Sequence, residues 1–392
     1  MEIILHARAW ACIVADMIEG PRAVHPAELD AVVSLATSIF RRPGDTDMGA
    51  AFPTFFNPGN LENLLIMLDG GKPVALAGCV LRDLSLAGTK IRMGLVGSVC
   101  TLEEYRGQGM AGRIVEEVVA RAMTRGAVAI LVSGGRGLYK RMGCVDAGLW
   151  RTARVEKSCA LPRLACDAAE WTARDIPKML ELYQAEPVRF ERGAEEMGTL
   201  LEARSLYARP ARTWVCRVGG KLAAYVCTSG PEQGNGEGVL KALEFAGSRC
   251  ALLASLPAIL DASRAGSVEI ETSAADLEME TLAKAWNLPF APRGFHGTVK
   301  IVDRPGFFSA IEGHLSLRLS RAERAALAIN CGAAVTFRYE EAELSTAGDA
   351  DLAALVFGSV EHAPPAAKDG TLREILARVF PLPLPGYGLN FI

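Results

Sequence analysis

In this 392-residue chain the segment best equipped for chemistry runs from Val96 to Gly112. A strand-like Val96-Gly97-Ser98-Val99-Cys100-Thr101 leads through Leu102-Glu103-Glu104-Tyr105 into Arg106-Gly107-Gln108-Gly109-Met110-Ala111-Gly112. Beyond it, Met110, Ile114, Val115, Val118, Val119 and Ala122 share one face of a predicted helix, Met110–Arg125, closed by Gly126. Three glycines and an alanine at the start of this helix let the backbone come close to a ligand. The unpaired amides of the first turn point at that ligand, and the helix dipole favours negative charge there. The segment is an anion cradle suited to a pyrophosphate.

Three nucleotide-type readings compete for it. A P-loop needs Lys-Ser or Lys-Thr after the glycines, and neither follows. A dinucleotide fold accepts Gly107-x-Gly109-x-x-Gly112. It wants the glycines at the strand end, however, and an acidic residue about 20 positions later at the tip of the next strand. Here four residues and Arg106 intervene, and the next strand, Val128–Ser133, ends in Val132-Ser133. The third reading, Arg106-x-x-Gly109-x-Ala111, is the R-x-x-G-x-A phosphate loop of acetyl-coenzyme-A-dependent N-acetyltransferases and fits without adjustment. For the loop alone, a glycine-rich turn that binds nothing is the plain alternative.

Downstream, Val128–Ser133 is followed by Gly134-Gly135-Arg136-Gly137-Leu138-Tyr139-Lys140-Arg141-Met142-Gly143-Cys144. A strand, a short break and a Tyr four residues before Gly complete the same signature. Here the sequence resembles the Gcn5-related N-acetyltransferase (GNAT) superfamily. It resembles more closely the enhanced-intracellular-survival (Eis) branch, which carries two acetyltransferase-like domains and a sterol-carrier-like C-terminal domain. The resemblance implies that Val99, Cys100 and Thr101 offer backbone groups to the pantetheine arm of acetyl-coenzyme A, the co-substrate. It also implies that Gly107, Gln108, Gly109, Met110, Ala111 and Gly112 bind the pyrophosphate, with Arg106 opening the loop and Gly134 and Gly135 lining the cofactor. Tyr139 would stand near the sulfur as general acid. The acceptor would be a small-molecule or peptide amine, and the assembly a homo-oligomer of the ring-like hexamer kind.

The chemistry asks for little else: an amine attacks the thioester, an oxyanion develops and a thiolate leaves. A tyrosine, with a pKa of about 10, is a sensible donor to that thiolate. The competing reading of Tyr139 is a core tyrosine with its hydroxyl at the surface. Cys100 and Cys144 have no neighbouring histidine in sequence, which disfavours a covalent route. The chain ends Pro381-Leu-Pro-Leu-Pro-Gly-Tyr-Gly-Leu-Asn-Phe-Ile392, stiffened by its prolines and without a charged side chain after Arg378. Leu389, Phe391 and Ile392 call for burial. In the resemblance the terminal carboxylate, here that of Ile392, enters the active site as general base opposite the tyrosine. A tail that only packs on its own domain or a neighbouring subunit is the alternative.

The elements that must position these groups fall into sections. At 392 residues two or three domains are expected. The boundaries read as an extension at 1–20, a catalytic domain at 21–157, a second, non-catalytic acetyltransferase-like domain at 158–302 and a C-terminal domain at 303–392. The first 16 residues read as a buried strand or a surplus start. Alternating helices and strands give an α/β (α+β) fold: tandem mixed-sheet domains plus a sterol-carrier-like α+β domain. Two Gly-Gly-Lys turns, at Gly70 and Gly219, lie 149 residues apart and hint at duplication. The middle section's own cluster, Gly234-Asn235-Gly236-Glu237-Gly238, carries an acid that would repel a pyrophosphate, so it reads as a surface turn. The Phe52–Phe56 loop is expected to help wall the acceptor site.

Composition narrows the rest. Lys and Arg (42) nearly balance Asp and Glu (45), unlike the one-sided basic field of a nucleic-acid binder. No apolar run approaches the roughly 20 residues of a membrane helix. Ten cysteines without a C-x-x-C pair and five isolated histidines argue for a reduced, cytosolic protein without a metal site. The rival class is a binding protein, either a non-catalytic acyl-coenzyme A sensor or a lipid carrier.

Overall fold

The computed structural model describes residues 18–392 apart from Arg136, Ala208 and Asn235. The expectation for the first 16 residues lies outside this range. Among the described residues two compact units emerge: 18–81 with Gly94–Gly126 and Ile392, and Arg82–Met93 with Ala127–Phe391.

In the first unit β1 (Ile18–Ala23) runs antiparallel to β2 (Leu64–Asp69). The latter turns at Gly70-Gly71 into β3 (Lys72–Leu86), both glycines taking positive φ. Leu64 to Leu68 are all buried, which accounts for their unbroken apolar run. The unit takes Gly94–Thr101 from β4 (Thr89–Thr101). Helix α1 (Leu29–Phe40) buries Val32, Leu35 and Ala36, and the short α2 (Met48–Ala51) follows. Helix α3 (Met110–Thr124) buries Met110, Ile114, Val115, Val118 and Ala122, the face read from the sequence. Phe52, Phe55 and Phe56 are buried, Phe55 against Gly78, so these rings belong to the core of the unit rather than to an open wall.

The second unit holds β5 (Ala129–Val132), α4 (Gly137–Arg141), β6 (Val145–Asp146), β7 (Leu149–Glu156) and β8 (Cys166–Glu170). These are followed by α5 (Ile176–Ala185), β9 (Val188–Phe190), α6 (Ala194–Glu202), β10 (Ser205–Leu206) and β11 (Arg209–Val218). The run continues through β12 (Lys221–Gly234), β13 (Gly236–Gly247), α7 (Arg249–Ser263), β14 (Ala265–Ser273), α8 (Leu277–Ala285), β15 (Ala291–Gly294) and β16 (Thr298–Ile301). Its main sheet has the order β10-β11-β12-β13-β14-β7-β15, with β8 on β11. It is mixed: β13 and β14 are parallel, joined by α7, whose Leu252, Leu256, Ile259 and Leu260 pack on Val226, Leu240 and Val268. The second Gly-Gly-Lys turn links β11 to β12, as the first links β2 to β3.

Strand pairing is not sequential. β7 pairs with β14 and β15, whereas β16, some 140 residues later in the chain, pairs with β5 and β6. Beyond it come helices α9 (Arg304–Ala310), α10 (Glu312–Arg318) and α11 (Arg321–Ala326). The first two of these are separated at Ile311. A hairpin of β18 (Val335–Tyr339) and β19 (Ala342–Ser345) follows β17 (Leu327–Cys331), and the three form an antiparallel sheet. Helices α12 (Asp349–Phe357) and α13 (Gly370–Val379) follow. Phe307, Phe308, Phe337, Phe357 and Phe380 fill this core edge-on. No helix among the described residues is long and apolar enough to cross a membrane.

Candidate active site

In the first unit β4 ends at Thr101 and its chain is tied down by Leu102 N donating to Val74 O at 2.9 Å. Tyr105 Oη then donates to Asp69 Oδ2 at 2.5 Å, fixing the approach to the glycines. Gly107 and Gly109 both adopt left-handed φ (81° and 78°), which is why glycine stands at each. Gly109 is the N-cap of α3, and it supplies no side chain to cover the first-turn amides. No acid sits in that turn, and a Cβ at Gly107, Gly109 or Gly112 would meet nothing within 4 Å. Gln108 is exposed and Met110 is buried under the helix, so the cradle is made of main chain. Exposed Arg106 donates from Nε to Thr101 O at 3.2 Å, buttressing the strand end.

Within β4 the backbone is irregular. Ser98 has a left-handed φ of 51° in the middle of the strand, a conformation that kinks pairing and re-aims main-chain groups. The side-chain oxygens of Ser98 and Thr101 are buried with no hydrogen-bond partner among the described residues. Such groups are costly unless a ligand or water meets them. Val99 and Cys100 are buried between them, and burial pushes the Cys100 thiol up to about 12. That value keeps it a neutral thiol near pH 7, in agreement with the reading against a cysteine nucleophile.

Ile392 also belongs to this unit and is buried. It lies over Gly97: a Cβ there would come 2.8 Å from Ile392 O and 2.9 Å from its carbonyl carbon. The absence of a side chain at Gly97 is what admits the last residue. Sequence reasoning missed this glycine and Ser98, although a glycine inside a strand is itself a signal of close approach or a bulge.

In the second unit Tyr139 sits on α4, buried, with its carbonyl accepting from Met142 N (3.0 Å) and Cys144 N (2.9 Å). Gly134 follows β5, donates to Val132 O at 2.8 Å and accepts from Thr298 Oγ1 at 3.1 Å. A Cβ at Gly134 would be 3.8 Å from the Tyr139 ring, and one at Gly135 would be 3.6 Å from Asp146 Oδ1. Burial pushes the Cys144 thiol up to about 11. The cluster Gly234–Gly238 lies at the β12–β13 turn, with Asn235 outside the described residues. It is not the counterpart of the Gly107–Gly112 loop. That counterpart is the β13–α7 connection, which is Ser248 alone.

Residues 21–145 match the model of the acetyltransferase (GNAT) domain family. No curated protein matches the chain. Among solved structures, a GCN5-related N-acetyltransferase from Anabaena variabilis is similar at 14% identity and a TM-score of 0.62, with 94% of this chain and 98% of that chain covered. Eis1 from Mycobacterium abscessus is similar at 16% identity and a TM-score of 0.60, covering 95% and 99% of the two chains. A GCN5-related N-acetyltransferase from Kribbella flavida follows at 16% and 0.58, covering 94% and 96%. The fold is that of the GNAT superfamily, with two mixed sheets.

Proposed function

We propose that the protein is an N-acetyltransferase that moves acetyl from acetyl-coenzyme A to a primary amine by direct attack in a ternary complex. The observation that carries the reading is the uncapped, acid-free start of α3, delivered by two left-handed glycines inside the segment that matches the acetyltransferase family. The co-substrate supplies an activated acyl group on sulfur. The chain's task is to hold it and to move two protons. Main-chain amides from Gly107 to Gly112 bind the pyrophosphate, and β4 around Ser98–Thr101 offers polar groups to the pantetheine arm. Gly134 and Gly135 leave room beside Tyr139, which donates to the departing sulfur. The carboxylate of Ile392, the last residue of the sequence, takes the amine proton.

The test is turnover of acetyl-coenzyme A with a panel of polyamines, aminoglycosides and lysine peptides. Tyr139→Phe should lose at least roughly tenfold in kcat with little change in cofactor affinity, since general acids contribute about 10²–10⁴-fold and water replaces part of one. Appending a few residues after Ile392 should cut kcat strongly while leaving every side chain in place. No turnover with any amine, or full kcat in the appended protein, would count against the activity and the base respectively.

A further inference from the structure

Behind Ile392 the C-terminal segment meets a buried charge in the second unit. Arg192, just past β9, and Glu244 on β13 form a bidentate pair, Nη1 to Oε1 at 2.9 Å and Nη2 to Oε2 at 3.0 Å. The arginine side chain is fully covered and that of the glutamate is 7% exposed. Glu244 Oε2 also accepts the main-chain amide of Leu389 at 2.8 Å, and Oε1 accepts the Tyr225 hydroxyl at 2.9 Å. The Arg192 guanidinium lies 4.2 Å from the centre of the Tyr183 ring, whose hydroxyl accepts from Asn390 Nδ2 at 3.5 Å. Gly388, with a left-handed φ of 50°, passes so close to Glu244 that a Cβ has no room. Phe391 stacks on Tyr207 at 4.2 Å.

A buried ion pair is weak support for a fold, because a well-packed apolar pair of similar volume often does as well or better. This one spends its acceptor capacity on a chain segment more than 140 residues away in sequence. Burial alone would push the Glu244 carboxyl up, but the charge and hydrogen bonds of Arg192 hold it below its ordinary value, so it stays an anion able to grip an amide.

We propose that Arg192 and Glu244 are positioning residues: a clamp on Leu389 and Asn390 that fixes where the last residues of the chain lie. Its catalytic consequence rests on the reading of Ile392 as general base. The full-length double variant Arg192→Met/Glu244→Leu removes both charges, so neither is left buried alone, and it deletes the acceptor for Leu389. Three quantities are measured: hydrogen exchange of the Leu389 and Asn390 amides, carboxypeptidase release of Ile392 and Phe391, and kcat against cofactor affinity. Expected are exchange and release faster by about tenfold or more and kcat lower by roughly tenfold or more, with cofactor affinity and melting temperature near wild type. Wild-type exchange and release in the folded double variant overturn the clamp. Fast release with full kcat leaves the clamp standing and removes the terminal base. If the double variant does not fold, Glu244→Asp keeps the charge but withdraws it from the Leu389 amide. Faster release then supports the clamp and unchanged release overturns it.

Discussion

Gly97→Ala probes the terminal residue with one carbon atom. The new Cβ would sit 2.8 Å from Ile392 O, 2.9 Å from its carbonyl carbon and 2.9 Å from Cγ1, whereas ordinary contact begins at 3.4 Å. Ile392 must therefore withdraw by at least 3.4 − 2.8 = 0.6 Å. Two of the three atoms are main chain, so no rotamer change relieves the clash. Overpacking of this kind costs about 1–3 kcal/mol, too little to unfold a typical domain. The cost to chemistry is steeper, because a misplacement of about 1 Å at a reacting group can lose about 10²-fold. A shift of a little over half that predicts a kcat roughly ten- to a hundredfold lower. The amides of Gly107–Gly112 are untouched, so acetyl-coenzyme A affinity should stay near wild type. Steady-state thiol release, calorimetric titration of acetyl-coenzyme A and a thermal melt on one preparation decide it. A folded Gly97→Ala protein with full kcat would refute the placement of the base at Ile392.

Two further outcomes can be checked on the same preparation. Gly109→Asp adds a carboxylate at the start of α3 and a side chain at a φ of 78°; open space around the Cβ spares the fold, so calorimetry should show cofactor binding lost with melting little changed. Retained affinity, or two cofactors per wild-type chain, would remove the loop as the pyrophosphate site. With their pKa values raised by burial to about 12 and about 11, Cys100 and Cys144 should both resist iodoacetamide at pH 8 until the protein unfolds. Rapid labelling of either in the native state would reopen the covalent route.

The glycine loop before α3 was legible because its signals are local. Glycines at fixed spacing, an apolar stripe with helical period and a closing Gly126 all lie within some twenty residues. The tail's burial was legible for a similar reason, since apolar residues without charges have no other use at a chain end. What the sequence did not disclose is long-range. Nothing near Leu149 or Thr298 signals that β7 and β16 pair with strands far from them in the chain, because a strand's pattern reports burial and not its partner. The helix break at Ile311 and the β18–β19 turn at Glu340-Glu341 fall in segments whose apolar residues read equally well as continuous elements. Arg192 and Glu244 look like any two charges in a strand-rich region, and only the fold brings them to Leu389.

The β13–α7 connection is built differently from the start of α3. In the first unit eight residues, Leu102 to Gly109, separate β4 from α3 and leave the helix start bare. In the second a single residue does so, and Ser248 caps α7 by accepting from Ala251 N at 3.2 Å. The protein's own carboxylates take up what remains. Arg249 N donates to Glu278 Oε1 at 2.8 Å and Gly247 N to Glu186 Oε1 at 3.0 Å, while the Arg249 guanidinium is held by Glu186 and Asp276. A cleft of about 510 Å³ does open there, where β13 and β14 part beyond Ala242 and Ile270, lined in part by Glu186, Glu271, Asp276 and Glu278. At this helix terminus Ser248 already takes up a first-turn amide, and the cleft beside it is lined by these carboxylates together with Arg189 and Arg249. Where the start of α3 is bare, that of α7 is closed by internal hydrogen bonds and ion pairs, and in the proposed clamp Glu244 serves the tail.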